Sequence, residues 1–135
     1  MRVLNILIGL SLTLLYAGCS GSKEPVSFYL SDQKPAKGGG SVPAGPATLL
    51  VSKLRLVAPH EAEHMITIKF IPSDASAIDK LTTENLGKTI VMVQGTNVLS
   101  VSRVFTPVHP DGGLMFPVNT NLDFDSVYRA LLKLE

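Results

Sequence analysis

The alternation of apolar and polar positions changes character along the chain. Val3 to Leu15 is apolar apart from Asn5, Gly9, Ser11 and Thr13, and Ser20 to Pro25 is small and polar. Val26-Ser27-Phe28-Tyr29-Leu30 is rich in β-forming residues and predicts a short strand. Glycine and proline then punctuate residues 31–47 too often for helix or strand, which predicts a long flexible loop inside the domain.

Residues 49–57 read as one strand, with Leu54 and Leu56 flanking an outward-facing Arg55. Met65 to Phe70 alternates clearly: Ile66, Ile68 and Phe70 share one face, Thr67 and Lys69 the other, as in a sheet covered on one side. Pro72-Ser73-Asp74 opens a helix with Ser73 as its N-cap, and Gly87 closes the segment. Residues 89–93 and 98–105 are strands joined by a tight hairpin at Gln94-Gly95-Thr96-Asn97. A short strand at 114–118 leads to a last helix. There Asp123 is the N-cap, Leu122 and Val127 form a hydrophobic staple, and Val127, Leu131 and Leu134 make an apolar stripe. The order β-β-β-α-β-β-β-α predicts an α+β fold: a mixed or antiparallel sheet of five to six strands with two helices packed on one face.

The opening run is about a dozen residues, where a membrane span needs about 20, so it fits the apolar core of a secretory signal behind Arg2. Ala17 and Gly18 then precede Cys19, the only cysteine. This arrangement resembles the lipobox of bacterial lipoproteins, with Tyr16 standing where that family prefers leucine. The resemblance implies a signal peptide over 1–18, acylation of Cys19, a tether over 19–25 and a domain over 26–135. Three acyl tails, at about 0.8 kcal/mol per buried methylene, anchor a protein to a bilayer stably. Ser20 after the cysteine implies the outer membrane, facing the periplasm. The plainer alternative is a secretory signal cut near Ala17 that leaves a free thiol, an odd choice in an oxidising envelope.

Composition narrows the function. Net charge is +1 with basic residues scattered, which argues against nucleic acid as a partner. His60, His64 and His109 have no cysteine to complete a zinc set, and a strand at Met65 leaves His60 and His64 without a shared helical face. No serine lies in a Gly-x-Ser-x-Gly turn, and Gly38-Gly39-Gly40 lacks the Gly-Lys-Ser/Thr ending of a phosphate loop. Asp123 and Asp125 read as helix capping, and Asp111-Gly112-Gly113 as a turn. The expectation is a protein without catalytic residues, cofactor or metal.

Leu81-Thr82-Thr83-Glu84-Asn85-Leu86-Gly87-Lys88, running into Thr89-Ile90-Val91-Met92-Val93, is the most specific stretch. It resembles the periplasmic P1 head subdomain of the protein-export membrane protein SecD. The likeness extends to Phe28-Tyr29-Leu30 with Lys34-Pro35-Ala36-Lys37-Gly38, to Val98-Leu99-Ser100 and to Asn121-Leu122-Asp123. It implies candidate binding residues Thr82, Thr83, Asn85 and Lys88, although turn chemistry alone also calls for these residue types. It further implies a lipid-anchored envelope head that binds exported polypeptide or assists protein export. The alternative is an adaptor that docks a single folded envelope partner.

Overall fold

A computed structural model of the chain describes residues 23–32, 41–108 and 113–135. The lipobox with Cys19, residues 33–40 of the predicted loop and His109 lie outside these residues. Seven strands, two helices and one 3-10 turn are described. They are β1 (Val26–Ser31), β2 (Leu49–Val51), β3 (Leu54–His60), the turn Glu61–Glu63, β4 (Met65–Phe70), α1 (Pro72–Glu84), β5 (Thr89–Gln94), β6 (Asn97–Arg103), β7 (Leu114–Pro117) and α2 (Phe124–Leu132). None of the described helices is long and apolar enough to cross a membrane.

The α+β class holds, but the strands do not form one sheet of five to six. They form two antiparallel sheets, β2-β1-β5-β6 and β3-β4-β7. The cause is local. The expected single strand over 49–57 breaks at Ser52-Lys53, so β2 pairs with β1 while β3 pairs with β4. The backbone amide of Leu54 donates to the carbonyl of Leu134 at 2.8 Å, which draws the chain out of the first sheet. An irregularity between Leu54 and Leu56 then turns Leu56 outward, and Val57 is buried in its place.

The inner faces of both sheets and one side of each helix share one core. Phe28 and Met92 meet Ile66, Ile68, Phe70 and Phe116 there, with Ile78 from α1 and Leu131 from α2. Strand β4 keeps its predicted alternation, whereas β5 is buried at every position. Strand β5 is central in its sheet, and Val91 and Val93 pack with Val98, Tyr29 and Val101 on the opposite face.

The helix starts differ from one another. Ser73 is not the N-cap of α1. Ile71 is, and Pro72 takes the first helical position, where its missing N–H costs nothing. Helix α2 starts as predicted, with the Asp123 carboxylate accepting from the Ser126 amide at 3.1 Å and from the Ser126 hydroxyl at 2.7 Å. The hydroxyl bond, then the amide bond, holds the Asp123 carboxyl below its ordinary value of 3.8. A carboxyl depressed by folding stabilises the native state above its ordinary value, and that contribution fades as pH falls through the folded value. In thermal unfolding followed by circular dichroism, the wild type should therefore lose stability as pH drops below 3.8. Asp123→Asn, which keeps a capping oxygen without the charge, should flatten that acid limb; an unchanged limb would assign it to other carboxyls.

Candidate functional site: a cleft between two sheet edges

Sheet edges expose unpaired backbone groups, and proteins commonly guard them. Strand β2 is an edge of only three residues. Strand β3 is guarded at the two outward amide positions Val57 and Pro59. Alternation along the antiparallel ladder turns Val57 and Pro59 away from β4. The Val57 amide donates to the Glu135 carboxylate at 3.1 Å, and Pro59 has no amide hydrogen to offer.

The other two edges, β6 and β7, face each other. They meet at one end, where the Asn119 amide donates to the Leu99 carbonyl at 2.8 Å and the Asn119 side-chain amide donates to the Val98 carbonyl at 3.0 Å. Beyond that rung no pairing joins them among the described residues. The hairpin register, together with the Val104 amide bonded to the Lys88 carbonyl, sets which groups point outward. Met92↔Ser100 and Ile90↔Ser102 are the bonded pairs, so the amides and carbonyls of Val101 and Arg103 face the open edge. By the same alternation, counted from the Val118 amide on the His64 carbonyl, Met115 faces β6 from the other side.

Between these edges lies a cleft of about 360 Å³. Its floor is apolar, with Ile90 and Met92 from β5 and Leu114 and Phe116 from β7. The Ser100 and Ser102 hydroxyls lie in it, 3.2 Å apart. Each hydroxyl carries one hydrogen, so a single bond between them leaves one hydrogen to offer elsewhere. Arg103 adds a positive charge, and a strap of residues 104–108 forms one wall. Phe105 on that strap is 78% exposed, the most of any large apolar residue described. Size, apolar lining and a few polar groups are the features of a ligand cleft.

The four predicted binding residues do not gather at one surface. Thr82 is buried, donating to the Ile78 carbonyl at 2.8 Å and accepting from the Val108 amide at 2.8 Å, and it lines the cleft from behind the strap. The Thr83 hydroxyl donates to the Asp79 carboxylate at 3.2 Å on the outer side of α1. The Asn85 side-chain amide donates to the Leu81 carbonyl at 2.7 Å and closes the helix end. Lys88 sits at the surface, 3.7 Å from Asp32, a separation and exposure that contribute little. Sequence reasoning missed Ser100, Ser102, Arg103 and Phe105 as a group, because they read only as a strand and its end.

His60 and His64 lie away from the cleft lining. His60 shares a hydrogen bond with the Thr67 hydroxyl at 3.0 Å. His64, in the left-handed region at φ 56°, lies with its ring 5.2 Å from Phe124. Among the described residues no group of three or more histidine, cysteine or carboxylate side chains is placed to hold a metal.

No protein-family model matches the chain. No curated protein sequence matches it either. A solved structure of SecDF, a membrane component that enhances protein export, superposes with a TM-score of 0.56 at 13% sequence identity. The superposition covers 83% of this chain and 62% of that one, so the chain spans less than two thirds of its neighbour. The chain therefore has a SecD-like fold.

Proposed function

We propose that this chain is a non-enzymatic envelope lipoprotein, acylated at Cys19, whose domain binds extended polypeptide during protein export. The observation that carries the reading is the pair of unguarded edges facing each other over an apolar cleft, in a domain that guards its other long edge. An extended chain can add to such an edge through main-chain hydrogen bonds while alternate side chains enter the cleft. The SecD-like fold supports an export setting. The acylated cysteine and the outer-membrane location rest on the lipobox and Ser20.

The test is photo-crosslinking in living cells, with the probe at Phe105 on the mouth of the cleft and a second at Thr67 on the outer face of the β3-β4-β7 sheet. The Phe105 probe should capture many exported proteins, and the adducts should vanish when secretion is blocked. The Thr67 probe should capture few. A single discrete adduct that ignores secretion would instead make the chain an adaptor for one folded partner. Globomycin, which blocks cleavage of lipoprotein signals, should leave a precursor of higher mass; processing that ignores the drug would remove the lipoprotein part of the proposal.

A further inference from the structure

Thr82 is polar, yet it is 1% exposed. Its hydroxyl has one hydrogen to give and lone pairs to receive. The hydrogen goes to the Ile78 carbonyl at 2.8 Å, with the Asp79 carbonyl sharing it at 3.1 Å. A lone pair receives the Val108 amide at 2.8 Å. Val108 is the far end of the strap that walls the cleft. The near end, Val104, is fixed by its amide on the Lys88 carbonyl at 2.8 Å and by its carbonyl under the Gly87 amide at 2.7 Å.

Both anchors of the strap thus belong to the run from Thr82 to Lys88. Inside that run, Asn85 closes α1 with its side chain and accepts the Lys88 amide at 3.1 Å. Gly87, at φ +86°, turns the chain so that its amide reaches Val104. The run forms a cradle. Phe105, Thr106 and Pro107 cross between its two anchors, with Phe105 held out at the mouth of the cleft.

We infer that Thr82 is the positioning residue of the cleft: its hydroxyl, bonded to Ile78 on one side and Val108 on the other, holds the strap in the place that makes it a wall. The two anchors are unequal. Among the described residues the Val104 end has two backbone bonds, and the Val108 end has this one side-chain bond and the packing of a half-buried valine on the core. Removing the hydroxyl leaves the Val108 end held by the packing of its side chain alone, so the strap loosens from that end while the Val104 end and the sheets stay as they are. The bearing on polypeptide binding rests on the function proposed above; the bearing on the strap does not.

The experiment compares Thr82→Val, which keeps the shape and loses the hydroxyl, with Thr82→Ser, which keeps the hydroxyl. Amide exchange at Val108, followed by NMR on the full-length protein in detergent, should speed up about fivefold in Thr82→Val and stay near wild type in Thr82→Ser, as expected for a bond of about 1 kcal/mol. Amides of β4 should not change in either variant. Affinity for a fluorescein-labelled peptide of alternating leucine and serine should fall roughly fivefold in Thr82→Val through faster dissociation, and recover in Thr82→Ser. Val108→Pro removes the donor and leaves Thr82 intact, so it should speed exchange at Phe105 and Thr106 even if Thr82→Val folds poorly. Unchanged exchange along the strap in Thr82→Val and Val108→Pro would overturn the inference. Equal loss of affinity in the serine and valine variants would overturn the role in binding. If the wild type itself ignores the peptide, the strand-binding function fails, and the exchange rates alone decide the role of Thr82.

Discussion

Phe28→Ala should cost about 4 kcal/mol of folding stability, within the range of about 3–5 kcal/mol typical of buried phenylalanines. Phe28 has no exposed surface and lies opposite Met92 on β5 and Leu49 on β2. Its ring centroid is 6.0 Å from that of Phe70, tilted by 58°. Phe70 belongs to the other sheet, so this ring pair is a contact that joins the two sheets. Truncation removes the transfer free energy of the ring, leaves a cavity between layers, and deletes an aromatic pair worth about 1 kcal/mol beyond its area. Against a total of about 5–15 kcal/mol, that is enough to bring the domain near its unfolding threshold. Urea unfolding followed by circular dichroism checks it, with Phe28→Leu as the milder partner at roughly 1 kcal/mol. A loss under about 1 kcal/mol for the alanine variant would mean that the sheets close over the cavity and are not held apart by this pair.

Val101→Pro should weaken polypeptide binding at least roughly tenfold while cooperative unfolding is kept, because main-chain bonds supply the affinity in strand addition. The Val101 amide points to the open edge of β6, so replacing it removes a donor aimed at a bound chain and spares the ladder to β5. Ser102→Pro is the contrasting change. The Ser102 amide faces Ile90, and its loss should destabilise the domain by about 1–3 kcal/mol through an orphaned carbonyl. Peptide titrations and melting curves on both variants separate the two effects. Wild-type affinity in Val101→Pro would show that the edge of β6 is not where the chain is held.

Where a single local signal sufficed, the sequence was readable. Strand β4 announced itself by the alternation of Ile66, Ile68 and Phe70, and α2 by Asp123 ahead of Val127 and Leu131. The break after β2 was not readable. Ser52-Lys53 contains no glycine or proline, and the choice of sheet on each side is made by partners distant in the chain, Val26 for Val51 and the Leu134 carbonyl for the Leu54 amide. Ser73 misled because it is a good capping residue one place after a proline that already suits the first helical position. The cleft was hidden for a further reason: its floor, edges and wall come from β5, β6, β7 and the strap. Thr82 did stand out in the sequence, as a candidate for binding, but Val108, the group that it bonds, is 26 residues away.

The place of β1 within its sheet has a mechanical consequence. Lys23 and Glu24 lead directly into β1, and the Gln94 side-chain amide clasps the Glu24 carbonyl at 2.9 Å where the chain enters. Strand β1 is not an edge; it is bonded along its length to β5 and over its first half to β2. A pull on the segment before Lys23 runs along the strand axis and loads these rungs together, in shear, so they cannot be peeled one at a time. The domain should therefore behave as a stiff coupling, passing tension from its N-terminal side to whatever grips β6 before it begins to unravel.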